Sequence, residues 1–265
     1  MVCEPLSRGR CGQLTLLAGF AALLALLAPA CAAQDAATIE RIKPSIVAVG
    51  TFDRTRNPQF TFSGTGFAVG DGSLVATNEH VLPKILDGER IETIAIAVRT
   101  PNDTVEVRRA TKFAADPSAD LALIKVDGPP LPTLRLGNSG AVREGELYLF
   151  TGFPIGGVLG LFPVTHRAMV ASITPIVIPA ARADQLDARS VRRLQTGAFR
   201  VFQLDGTAYP GNSGSPVYGP QTGEVIGVVN SVFVKGTKEA ALTAPSGITY
   251  AIPAERLKAL LQSAQ

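Results

Sequence analysis

Tyr209-Pro210-Gly211-Asn212-Ser213-Gly214-Ser215-Pro216-Val217 sets one serine between two glycines, with prolines on either side of the turn. Glycine reaches positive φ and keeps neighbouring backbone N–H groups clear of side chains. A serine held there exposes its Oγ, and adjacent amides can converge on one point in space. Acyl transfer needs that pairing: a nucleophile, and donors aimed at the oxygen that becomes negative. The same stretch also reads as a plain β-turn whose serine bonds only to local backbone. The choice between the two rests on what lies upstream.

Two histidines are available, His80 and His166. His80 follows a strand-to-loop transition, Leu74-Val75-Ala76-Thr77-Asn78-Glu79-His80-Val81-Leu82. His166 sits inside a strand-like run, Val164-Thr165-His166-Arg167, with no nucleophile signal beside it, so it reads as a satisfied structural imidazole. Asp120 stands at the mouth of the apolar run Leu121-Ala122-Leu123-Ile124-Lys125-Val126. A carboxylate there is partly buried and needs a donor, and imidazole Nδ1–H can be that donor, leaving Nε2 to face a serine. Asp103, Asp116 and Asp127 compete for the role, and a simple loop cap is the plainer reading of Asp120 by itself.

Around these residues the chain alternates apolar and polar positions between turn signals. Strands are expected at 46–52, 60–69, 73–77, 91–99, 104–113 and 121–126, with Asp71-Gly72 as a hairpin turn. Residues 114–119 read as a loop. Leu131 to Glu144 is turn-rich and divides the chain into two halves. The second half adds strands at 146–151, 163–173, 198–204, 225–234 and 248–252 and a short amphipathic helix over 254–261. A helical turn or two is expected over 37–43. Pro179–Gly197, rich in Arg, Asp and Gln, reads as an inserted loop or short helix beside the serine turn. Many short strands, few helices and no long repeat argue for an all-β chain of paired antiparallel barrels, over 37–135 and 136–265.

These stretches resemble the trypsin-like serine proteases, especially their HtrA/DegP branch. The likeness is carried by Ser-Gly-Thr-Gly-Phe (63–67), Ala-Thr-Asn-Glu-His-Val (76–81), Asp-Leu-Ala-Leu-Ile-Lys-Val (120–126) and Gly-Asn-Ser-Gly-Ser-Pro-Val (211–217). Gly-Glu-Val-Ile-Gly-Val (223–228) and Gly-Ile-Thr-Tyr-Ala-Ile-Pro (247–253) extend it over nearly all of 39–261. The resemblance implies two six-stranded β-barrels with a triad in the cleft between them. His80 and Asp120 would come from the first barrel and Ser213, the nucleophile, from the second. The N–H groups of Gly211 and Ser213 would form the oxyanion hole, and the products would leave through an acyl-enzyme. Protein or peptide substrates, including unfolded ones, and assembly into a homo-oligomer are further implications.

The chain departs from digestive trypsins at two places. Thr207, followed by Ala208, stands where those enzymes carry a pocket-floor aspartate, so cleavage after Arg or Lys is not expected. With Asn230, Ser231 and Val232 as the far wall, a small or medium aliphatic residue is expected before the cut. Asn212 replaces the aspartate that pairs with a freed N-terminus, which argues against activation by that route. Unlike fuller HtrA members, the chain is expected to carry no PDZ domain after its last helix.

The first 33 residues read as an export signal: Arg8 and Arg10, an apolar run from Leu14 to Ala28, then small residues to Ala33. Periplasmic or secreted location follows, with a membrane link only if that segment is retained as an anchor or Cys31 carries a lipid. All three cysteines, Cys3, Cys11 and Cys31, lie in this region, so the barrels are expected to hold without a disulfide and without a Cys-ligated zinc site. A net charge of +3, spread along the chain, points to no nucleic-acid partner. No cofactor is implied. The rival reading is a protease-fold binding module that is catalytically silent. A generic esterase fits less well, because the α/β-hydrolase elbow needs Gly-x-Ser-x-Gly between a strand and a helix.

Overall fold

Ile46-Val47-Ala48-Val49 are all buried, yet they serve two different cores. Side chains alternate across a strand, so Val47 and Val49 point one way and Ile46 and Ala48 the other. Val47 and Val49 join Val75, Ile96, Ala122 and Ile124 in a core formed wholly by the first half of the chain. Ile46 and Ala48 join Phe67, Leu121 and Leu123 in a cluster shared with Leu149, Tyr218, Val228 and Ile252 of the second half. A third cluster, with Phe150, Val170, Phe202, Leu204 and Val217, belongs to the second half alone. The wall between two barrels is therefore apolar on both faces, and this is why several of its strands read as unbroken hydrophobic runs.

The computed structural model describes residues 28–84, 92–100, 102–156, 160–175, 199–230 and 247–264. Helix α1 (Ala28–Ile42) leads through a 3-10 turn at Lys43–Ser45 into β1 (Ile46–Phe52), β2 (Phe60–Val69), β3 (Leu74–Thr77), β4 (Thr93–Arg99), β5 (Val105–Asp116) and β6 (Leu121–Val126). These close into an antiparallel barrel in the order β1-β2-β3-β6-β5-β4. The second barrel contains β7 (Leu147–Gly152), β8 (Val164–Pro175), β9 (Arg200–Leu204), β10 (Pro216–Tyr218), β11 (Val225–Asn230) and β12 (Thr249–Pro253), in the order β10-β11-β12-β9-β8-β7. Helix α2 (Ala254–Ser263) ends the described chain, burying Ala254, Leu257 and Leu260. Its first turn is held by reciprocal bonds: the Glu255 N–H donates to Ser139 Oγ at 3.2 Å, and the Ser139 N–H donates to Glu255 Oε1 at 2.8 Å.

The expected all-β pair of six-stranded barrels with a short C-terminal helix is the observed architecture. The differences are local. β3 begins at Leu74 because the Asp71 carboxylate takes both the N–H and the Oγ–H of Ser73 into the turn. β5 runs on to Asp116, through residues expected as loop, because a bulge between Lys112 and Ala114 resets its pairing with β6. Strand β10 spans three residues and carries too short a period to be read from sequence. Helix α1 begins at Ala28, well before the helical turns expected from Ala37, and stops at the residue before Lys43-Pro44. The Pro179–Gly197 insertion lies outside the described residues.

Candidate active site

His80 sits in the single 3-10 turn Glu79–Val81 that follows β3, and Asp120 occupies the turn that enters β6. β3 and β6 are hydrogen-bonded neighbours, with Thr77 paired to Ala122, so the two turns leave the same end of the barrel side by side. The Glu79 N–H and the Asn78 side-chain amide both donate to the Asp120 carbonyl, at 3.2 and 3.0 Å. Asp120 adopts φ +56 there, a left-handed conformation that aspartate tolerates better than most residues. Its carboxylate is fully buried. Oδ1 accepts the His80 backbone N–H at 3.0 Å, and Oδ2 lies 2.6 Å from His80 Nδ1.

On the other ring edge, His80 Nε2 is 3.0 Å from Ser213 Oγ. With the ring proton on Nδ1 and donated to Asp120, Nε2 is the acceptor for the serine hydroxyl. Imidazole, carboxylate and hydroxyl, brought from both barrels, thus form one continuous hydrogen-bonded line. Asp103 pairs with Arg99, and Asp116 caps its own turn by accepting the N–H groups of Ser118 and Ala119, so these two competitors of Asp120 are engaged elsewhere. His166 stacks on Phe150, with ring centroids 4.8 Å apart, across the β7–β8 pair. Burial holds its basicity below the usual histidine range.

The loop that carries Ser213 has a built shape. The Asn212 N–H donates to the Tyr209 carbonyl at 2.9 Å, and Gly211 has φ +103, so Tyr209–Asn212 has the residue pattern of a type II turn with proline second and glycine third. A Cβ on Gly211 would collide with the Phe153 carbonyl oxygen, and one on Gly214, at φ +88, with the Thr65 carbonyl oxygen. Both positions need glycine for conformation and for space. The turn is further held by the Ile155 N–H, which donates to the Pro210 carbonyl at 2.7 Å, and by the Thr65 N–H, which donates to the Ser213 carbonyl at 2.8 Å.

A family model of the trypsin-like peptidase domain matches residues 64–228, more than half of the chain and every residue of the hydrogen-bonded line. The chain belongs to that family. Among its relatives, the mitochondrial serine protease HTRA2 of Bos taurus is 35% identical over 201 residues, covering 75% of this chain and 35% of the relative. A probable periplasmic serine endoprotease DegP-like of Ectopseudomonas mendocina is 33% identical over 193 residues, covering 72% of this chain and 33% of the relative. The chain therefore spans about a third of the length of these curated relatives. Among solved structures, the HtrA-type protease AlgW with a tripeptide superposes with TM-score 0.60 at 24% identity, over 86% of this chain and 62% of that one. Deg5 gives TM-score 0.61 at 20% identity, over 85% and 91%. At these identities the two structures speak for the fold.

For a trypsin-like peptidase, the positions assigned to substrate from sequence divide. Thr207 and Ala208 lie half-buried on the approach to the Ser213 turn, with the Ala208 N–H donating to Thr249 Oγ1 at 2.8 Å. Ser231 and Val232 lie outside the described residues. Asn230 differs from its expected place on a pocket wall. Its side chain is fully buried and its Nδ2 donates to Asp120 Oδ2 at 2.8 Å, so it is committed to the carboxylate. The physical reason is that a buried carboxylate oxygen stays charged only with donors around it, and Asn230 at the end of β11 is within reach. Sequence reasoning also passed over Thr65, although Gly64 and Gly66 on either side of it are the signal of a strand position where another backbone approaches closely. Among the described residues, no helix is long and apolar enough to cross a membrane, and no group of His, Cys, Asp or Glu is placed to hold a metal ion.

Proposed function

We propose that this chain is a serine endopeptidase that cleaves peptide bonds through an acyl-enzyme on Ser213. The observation that carries the reading is the line from Asp120 Oδ2 to His80 Nδ1 at 2.6 Å and from His80 Nε2 to Ser213 Oγ at 3.0 Å. Ser213 Oγ attacks the peptide carbonyl while His80 Nε2 takes its proton. Asp120 holds the imidazole in the productive tautomer and stabilises the imidazolium. The carbonyl oxygen, now negative, is met by the N–H groups of Gly211 and Ser213. His80 then delivers its proton to the leaving amine, and a water deacylates the serine by the same steps in reverse roles.

Specificity follows from what the approach to Ser213 lacks. Thr207 and Ala208 supply no negative charge, so small or medium aliphatic residues are preferred before the cut, and proteins or peptides, unfolded ones included, are the substrate class that the resemblance to HtrA proteases implies. Export rests on the basic, apolar and alanine-rich order of residues 1–33 and on the periplasmic naming of the DegP-like relatives.

The test is covalent labelling of the purified chain by a fluorophosphonate, with casein hydrolysis in parallel. Both are expected in the wild-type protein and lost in Ser213→Ala. A folded wild-type chain that takes no label and cleaves no casein would make it a silent protease-fold binding module. A fluorogenic panel dominated by arginine before the cut would reject the aliphatic preference.

A further inference from the structure

The Ser213 turn is gripped from the first barrel by one buried residue of β2, Thr65. Its hydroxyl donates to the Gly211 carbonyl at 2.7 Å and accepts the Phe153 N–H at 3.1 Å. Its backbone N–H donates to the Ser213 carbonyl at 2.8 Å, and its own carbonyl is fixed by the Thr77 hydroxyl at 2.7 Å. Thr65 therefore touches the turn on both sides of the nucleophile and reaches the segment that supports it.

That segment matters for the direction of one amide. Ile155, two residues after Phe153, gives its N–H to the Pro210 carbonyl. A trans peptide is planar with its C=O and N–H opposed, so holding the Pro210 oxygen fixes where the Gly211 N–H points. Ile155 makes this bond at φ +51, a conformation that β-branched residues rarely enter. Such a backbone persists only when its surroundings hold it. The Thr65 hydroxyl bond to Phe153 holds it from one side, and Phe62 packs edge-on against Phe153, with centroids 6.2 Å apart, from another.

We propose that Thr65 is a positioning residue for catalysis: its hydroxyl, by joining the Gly211 carbonyl to the Phe153 N–H, sets the Gly211 amide as an oxyanion donor. The proposal rests on the reading of Ser213 as nucleophile. A hydroxyl can donate and accept at once, which valine and alanine cannot and serine can.

The experiment compares Thr65→Val, Thr65→Ala and Thr65→Ser with wild type, all rates being expressed per folded molecule from circular dichroism. Loss of the hydroxyl is expected to lower kcat on a peptide substrate by about 10- to 100-fold, as small misplacements of a catalytic group do, with KM changed less than about 2-fold. Fluorophosphonate labelling slows in step, and the pH midpoint of activity stays, because the variants change no titratable group. Thr65→Ser restores kcat to within about 3-fold of wild type. Alanine serves as the second hydroxyl-free variant should the valine methyl crowd the site. Hydroxyl-free variants that melt earlier but keep wild-type kcat and labelling per folded molecule overturn the proposal, as does a serine variant no better than alanine. A wild-type chain that takes no label overturns the nucleophile reading first, and this proposal with it.

Discussion

Asn230 Nδ2 donates at 2.8 Å to Asp120 Oδ2, the same carboxylate oxygen that faces His80 Nδ1 at 2.6 Å. Two donors from different barrels thus share one oxygen that water does not reach. A hydrogen bond to a charged group contributes about 1.5–3 kcal/mol. Asn230→Ala is expected to lower kcat by at least about tenfold while the protein still folds, since each 1.4 kcal/mol on the barrier is a factor of ten. Steady-state kinetics with a peptide substrate beside a urea unfolding curve checks this. An unchanged kcat would return Asn230 to a purely structural place.

On the proposed mechanism the three side chains of the line act as one device, so their removal should not add. Ser213→Ala and His80→Ala are each expected to cost about a million-fold in kcat, the scale seen when a serine peptidase loses either member. The double variant should be no slower than the worse single one. A double variant slower by the product of the two losses would mean that serine and imidazole work independently.

Gly214 and Gly70 both have positive φ, but only Gly214 has a neighbour in the way. At Gly70 nothing among the described residues lies within 4 Å of an added Cβ, so Gly70→Ala is expected to cost about 1–2 kcal/mol for the left-handed backbone alone. At Gly214 the Cβ would also strike the Thr65 carbonyl, with the Thr77 hydroxyl at 2.6 Å, and overpacking adds about 1–3 kcal/mol. Urea denaturation should rank the two variants in that order, with activity lost only in Gly214→Ala.

Burial gives His166 a pH dependence of its own. Desolvation lowers its pKa from 6.5, so the unfolded chain binds the proton more readily than the folded one. Its stabilising contribution is therefore full above about pH 6.5 and is lost as pH falls toward the lower, folded-state value. His166→Phe keeps the stack on Phe150, removes the titration, and removes a buried Nε2 that has no hydrogen-bond partner among the described residues. Unfolding measured at pH 5 and pH 7.5 should show a smaller difference for the variant than for wild type. An equal difference would mean that His166 is not part of the acid sensitivity.

Much of the fold was legible because its signals are local. The strands at 46–52, 60–69 and 121–126 have the bounds expected from alternation and turn residues, since period-two burial and turn chemistry are properties of neighbouring positions. The same locality explains the misses. The extension of β5 depends on a bulge facing β6, and the three residues of β10 depend on β7 and β11 to be a strand at all.

The amino-acid sequence alone determined that two β-barrels form and that His80, Asp120 and Ser213 stand where turns could bring them out. Only the tertiary structure decided that Asn230 serves the carboxylate, 110 residues away, and that Thr65 grips the Gly211 turn, 146 residues away. A buried donor or acceptor must find a partner wherever the packed chain offers one, and that choice is made in space, between strands whose separation along the chain carries no trace of it.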